Sequence, residues 1–152
     1  MSQQDGISGE LIYEYTSQFT QVVEYGVSAE AVFGGQTPPP EGARFDVYFE
    51  GPVTGAKLKG TVKGVDYLDL RADGRGQLHI HAEITTDDGE KIALAADGVA
   101  TPEKGSPVFQ LRENVTLTTN HPELAWVNPI QIWAPGTVDV SKGEIRIKAY
   151  VV

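Results

Sequence analysis

The feature that most constrains this chain is its punctuation. Gly34-Gly35, Asp73-Gly74, Asp88-Gly89, Asp97-Gly98 and Pro135-Gly136 interrupt a chain of 152 residues at short intervals. Glycine supplies positive φ and aspartate bonds its own backbone, so such pairs mark reversals. The runs between them alternate apolar and polar residues with period two, the signature of a strand with one wet face. Strands are expected over 11–16, 44–50, 57–62, 67–71, 77–85, 91–96, 108–117, 127–133 and 144–152, with one more from 22–33. No segment carries a helical period, and only Pro122 to Trp126 suits a single helical turn. Pro38-Pro39-Pro40 reads as a loop, and residues 1–7 as a disordered start. The expected fold is all-β: one closed antiparallel barrel of about ten strands, spanning 1–152 as one domain.

Alternation also sorts each strand into two faces. One face is apolar and is expected inside; it holds Leu11, Tyr13, Tyr15, Phe45, Val47 and Phe49 early in the chain, and Leu111, Val115, Ile145 and Ile147 later. The other face carries Arg44, Asp46, His79, His81, Glu83, Arg112 and Lys148, and is expected in water.

The informative residues are polar ones that parity puts on the apolar face. Counting back from Leu68 places Asp66 there, and counting from Leu111 to Val115 places Glu113 there. Counting back from Ile130 adds Asn128 and Trp126. A buried carboxyl must be paired, hydrogen-bonded or protonated. Asp66 and Glu113 are therefore the candidate catalytic pair, with Tyr13, Tyr15, Trp126 and Asn128 as candidate substrate contacts. Plainer roles compete for each. An aspartate at a strand end caps backbone N–H groups, a β-bulge would return Glu113 to solvent, Trp126 could plug one barrel end, and Asn128 before Pro129 could set a turn. Tyr13 and Tyr15 suit an ordinary core equally well.

His79-Ile80-His81-Ala82-Glu83 sets two imidazoles and a carboxylate on one strand face, and these are metal-ligand types. The pattern resembles the first cupin motif only in part, because that motif places its glutamate further on and takes another histidine from a later strand. Along one strand, His79 and Glu83 lie about 13 Å apart, too far for one ion. A solvated face is the simpler reading, with the metal site as the alternative; the expectation is no cofactor.

Composition narrows the partners. A net charge of −9 repels phosphate backbones and anionic lipid, so neither nucleic acid nor a membrane surface is expected. The chain has no cysteine, so disulfides, thiolate zinc sites and cysteine nucleophiles are excluded. No apolar run approaches the roughly 18 residues of a membrane span. Met1 to Asp5 lacks the basic-then-apolar pattern of a signal peptide, and the expected location is cytoplasmic. No glycine-rich phosphate loop or Gly-x-Ser-x-Gly elbow occurs.

From about Phe49 to Val152 the chain resembles the family called domain of unknown function 3237. The resemblance is carried by Phe49-Glu50-Gly51-Pro52, Leu58-Lys59-Gly60-Thr61-Val62, Gly64-Val65-Asp66-Tyr67 (where the family tends to show Gly-Ala-Asp-Trp), Thr86-Asp87-Asp88-Gly89 and Pro122-Glu123-Leu124-Ala125-Trp126-Val127-Asn128. Asp66, Trp126 and Asn128 fall in its recurring motifs; Glu113 rests on parity alone. The resemblance implies a barrel similar to calycins and allene oxide cyclase, often a homo-oligomer, and no settled activity. Two functions fit these readings: a cofactor-independent acid–base enzyme of isomerase, cyclase or lyase/hydratase type acting on a small, largely apolar molecule, and a non-catalytic barrel that binds such a ligand.

Overall fold

Period-two alternation produces strands whose apolar faces must be buried, and a closed sheet buries them without leaving an edge. The computed structural model describes residues 9–151, so the expectation for 1–7 lies outside it. Eight strands form: β1 (Glu10–Glu24), β2 (Ala43–Thr54), β3 (Gly60–Leu70), β4 (Gly76–Thr86), β5 (Lys91–Pro102), β6 (Val108–Thr118), β7 (Ile132–Asp139) and β8 (Glu144–Val151). Each pairs antiparallel with the next, and β1 pairs with β8 to close the barrel. A short helix, α1 (Ala29–Phe33), follows β1, and a 3₁₀ turn (Pro122–Val127) follows β6. Alternating strand direction gathers α1 and the β3–β4, β5–β6 and β7–β8 turns at one end, here called the mouth. The 3₁₀ turn and the β2–β3 and β4–β5 turns sit at the other end, the base.

Eight strands replace the expected ten for two reasons. Residues 57–62 and 67–71 belong to one approach and strand, because Gly64 does not mark a turn: a Cβ there would lie 2.4 Å from the Ala82 Cβ, so glycine lets β3 and β4 come close. Residues 22–33 divide between the end of β1 and α1. Five helical residues are too few to show a period. Local hydrogen bonds hold α1 instead: Ser28 Oγ accepts from Ala31 N–H at 3.1 Å, and the Glu24 carboxylate accepts from Ala29 N–H at 2.6 Å.

The inner face is close to the expected one. Tyr13, Phe45, Val62, Ile84, Ile92, Leu117, Ile132 and Ile147 are buried, as are Leu58 and Val127 at the base, and all belong to one apolar core. Leu11 is a correction: it is 43% exposed, because the β1–β8 register shifts between Leu11 and Tyr13 and reverses the parity before the shift. Asp46 is another. It lies on the outer face as expected but is buried, covered by the Tyr25 hydroxyl, which donates to it at 2.6 Å, and by Arg44 Nε at 2.9 Å. The Arg44 guanidinium is itself held over the rings of Tyr25 and Tyr67, at 5.6 and 5.4 Å from their centroids.

Candidate active site

Toward the mouth the inner faces leave a chamber with about 60 Å³ open to the centre of a water molecule. One water needs roughly 10–15 Å³ on this measure. The chamber thus has room for a few waters or one small group, not for a whole drug-sized ligand. Its walls are almost wholly apolar, including Phe19, Val47, Phe49, Leu78, Ile80 and Leu111. Tyr15, Asp66 and Glu113 are the polar side chains that reach it.

Glu113 arrives there by uninterrupted register. β6 pairs with β5 and β7 with no shift along its length, so no bulge turns the side chain out. Its cross-strand neighbours are Gly98 and Ala134, both small, which leaves space for a carboxyl between larger walls. Gly98 is required on backbone grounds too: a Cβ would lie 1.9 Å from the Arg112 carbonyl oxygen. Glu113 is 2% exposed. Burial, and next the charge of Asp66, push its carboxyl up to about 8, with no positive charge or hydrogen bond among the described residues to offset them.

Asp66 is partly buried and comes from β3, where the ladder to β4 pairs Asp66 with Ile80 and Asp69 with Gln77 but omits the two pairs between. The His79 N–H in that gap donates to Asp66 Oδ1 at 3.0 Å. One oxygen thus does the ladder's work. Burial raises the Asp66 carboxyl to about 7, against the opposing pull of the His79 N–H and the Arg44 charge. Asp66 and Glu113 line the same chamber, so two acidic groups titrate near neutrality in one apolar space. With both carboxyls raised toward neutrality, such a pair can share one proton, leaving one group able to give a proton and the other able to take one.

The tyrosines differ in position. Tyr15 lines the chamber, stacked between Tyr13 at 6.4 Å and Phe49 at 6.3 Å between centroids. Tyr13 lies one step nearer the base and does not line it. Burial, and next the Glu113 charge, hold both phenols well above their ordinary range, so both stay protonated. The Tyr13 hydroxyl and Ser17 Oγ are buried without a hydrogen-bond partner among the described residues.

Trp126 and Asn128 are not brought to the chamber. Parity misplaced them because Pro122–Val127 is a 3₁₀ turn and β7 starts only at Ile132. Trp126 packs against the core at the base, with Lys57 Nζ 5.5 Å from its ring centroid. The Asn128 amide bonds backbone on both sides: its Oδ1 accepts from Thr119 N–H at 2.8 Å and its Nδ2 donates to the Thr119 carbonyl at 3.0 Å. It ties the turn to the end of β6. His79 and His81 are exposed on the outer face, and Glu83 there pairs with Lys91 at 3.0 Å. Ligand atoms of Glu90, His121 and Glu123 gather instead within 4.8 Å of one another at the base. Phe33 also lines the chamber and has no strand parity to announce it, because it comes from the five-residue helix α1.

The same barrel recurs in solved structures. The chain matches a protein of unknown function from Clostridium acetobutylicum ATCC 824 with a TM-score of 0.79 and 19% identity, over 96% of this chain and 99% of that one. A beta-barrel like protein from Acinetobacter baumannii AYE matches with a TM-score of 0.74 and 18% identity, over 99% of both chains. An enzyme from Penicillium herquei matches with a TM-score of 0.60 and 17% identity, over 99% of this chain and 100% of that one. At these identities the likeness is one of fold. No curated protein matches the chain in sequence. The family model for the protein of unknown function DUF3237 matches residues 19–152, starting well before the segment near Phe49 where the resemblance becomes legible by eye, and the chain belongs to that family.

Proposed function

We propose that this barrel is an acid–base enzyme that works without a nucleophile, acting on a small, largely apolar group in the chamber between Asp66 and Glu113. The observation that carries this reading is the pair itself: two carboxyls raised to about 7 and about 8 face one apolar space. Keeping two such groups away from water costs stability, and sites of proton transfer are where that cost recurs. Their roles follow from surroundings. Asp66, held by the His79 N–H, ionises first and is the base; Glu113, with no such bond, keeps its proton longer and is the acid. The Tyr15 hydroxyl supports the placement of a substrate oxygen. Proton removal and return by such a pair suits isomerisation, cyclisation, or addition and elimination of water. A likeness in fold to a protein described as an enzyme supports catalysis on this architecture.

The test has two arms. Carbon-13 NMR titration of the aspartate and glutamate carboxyls should find one group near 7 and one near 8, removed in turn by Asp66→Asn and Glu113→Gln. Ring opening of 5-nitrobenzisoxazole, an uncharged compound that needs one proton removed and only its C3–H edge brought into the chamber, should accelerate as pH rises through 7 and be lost in Asp66→Asn. Two carboxyls that titrate below about pH 5 would remove the acid–base reading. Raised values without turnover would favour a barrel that only binds, for which the apolar lining of the chamber also argues.

A further inference from the structure

The chamber has a neighbour. Outside it at the mouth lies an open cleft of about 920 Å³, walled by α1, the loop after it, and the β3–β4, β5–β6 and β7–β8 turns. Four residues line both spaces: Phe33, Leu70, Phe109 and Val140. A single layer of side chains therefore separates the carboxyl pair from the cleft. Phe33 is the member of that layer carried by α1, which is five residues long and followed by Gly34 and Gly35. Its ring leans on Phe45 with centroids 5.2 Å apart, and it is only partly buried.

Charge at the cleft is one-sided. Its polar lining includes Glu30, Gln36, Asp73, Glu103, Ser106 and Ser141 and no lysine, arginine or histidine. Asp73 is neutralised by Arg71 at 2.9 Å, whereas Glu30 and Glu103 have no basic partner among the described residues. Among the described residues no basic side chain lines the chamber either, and the whole chain carries −9. An anion moving from water to this place would lose hydration and meet no cationic side chain in the lining, with Glu30 and Glu103 repelling it.

We propose that Phe33 gates a passage from cleft to chamber, and that the ligand is a non-anionic, two-part molecule whose small apolar end passes Phe33 while its bulkier remainder stays in the cleft. This excludes carboxylic acids, phosphate esters and acyl carriers as ligands. It deepens the acid–base reading by naming a ligand class, and it rests on that reading for which end reacts.

Two environment-sensitive dyes test it on the full chain. Prodan is an uncharged naphthalene with a propionyl end; 1-anilinonaphthalene-8-sulfonate is an anion of similar size. Prodan should bind wild-type protein with a blue shift and at least tenfold more tightly than the sulfonate. Phe33→Ala, which opens the layer, should tighten Prodan several-fold, and Phe33→Trp should weaken it by a similar factor. Glu30→Gln with Glu103→Gln should narrow the gap between the dyes. Circular dichroism and melting of each variant show that it is folded, and Phe109→Ala, which opens the same layer from β6, serves if a Phe33 variant does not fold. Equal or tighter binding of the sulfonate overturns the charge argument. Prodan binding unmoved by both Phe33 and Phe109 variants, or absent from wild type and from every opened variant, overturns the passage. The carboxyl titrations do not depend on either dye. Low carboxyl values with the expected dye pattern would leave the passage standing and the acid–base reading fallen.

Discussion

At the scale of residues, the protein spends stability on two side chains. An unfolded aspartate or glutamate loses its proton near pH 4. In the fold, Asp66 keeps its proton to about 7 and Glu113 to about 8. Across that window the folded chain holds more protons than the unfolded one, so stability falls as pH rises, and the loss is complete above the folded values. Each group contributes at most about 1.4 kcal/mol per pH unit. Urea denaturation at several pH values should show this slope between about pH 5 and 8. Glu113→Gln should flatten it and be more stable than wild type at the alkaline end, and an unchanged slope would mean that Glu113 is not titrating in place. Asp66 carries a second duty. Asp66→Asn keeps an acceptor for the His79 N–H, while Asp66→Ala leaves that donor without one, so the alanine variant should lose about 1–3 kcal/mol more in the same measurement.

At the scale of elements, short connections position the site. Asn128 illustrates how a motif residue can be structural: both ends of its amide are used on Thr119. Asn128→Ala should cost about 1–3 kcal/mol in melting experiments and leave the titration of Asp66 and Glu113 untouched. A shift in those titrations would instead couple the base to the chamber. Ser28→Ala removes the cap of α1 and should cost about 1 kcal/mol, with faster amide exchange confined to the helix that carries Phe33. Strand β5 offers the severest test. Gly98→Ala would place a Cβ against the Arg112 carbonyl beside Glu113, and soluble folded protein should largely disappear. Near-normal yield and melting would show that β5 and β6 can separate there.

At the scale of the whole molecule, closure is the decisive event. Seven of the pairings join strands adjacent in sequence, and the eighth joins β1 to β8 across the length of the chain. Without β8 both β1 and β7 present open edges, templates for association. A chain ending after Gly143 should therefore elute from size exclusion as aggregate rather than monomer. Closure also brings Tyr13 and Tyr15 on β1 to the charge of Glu113 on β6.

Much of this is legible in the amino-acid sequence. Period-two alternation and turn pairs determine the class, the antiparallel order and most of the inner face, because both are local properties of the backbone. The inward placement of Glu113 follows from the same count, since β6 runs without a register shift. Where the backbone departs from its period, counting fails: Leu11 lies before a register shift, Trp126 and Asn128 belong to a 3₁₀ turn, and Phe33 rides on a helix too short to show itself. Counting along one strand also cannot place Asp66 and Glu113 in a common chamber, nor raise both carboxyls toward neutrality. Those outcomes depend on which strands meet around the closed barrel and on how much water the walls exclude, and only the tertiary structure decides both.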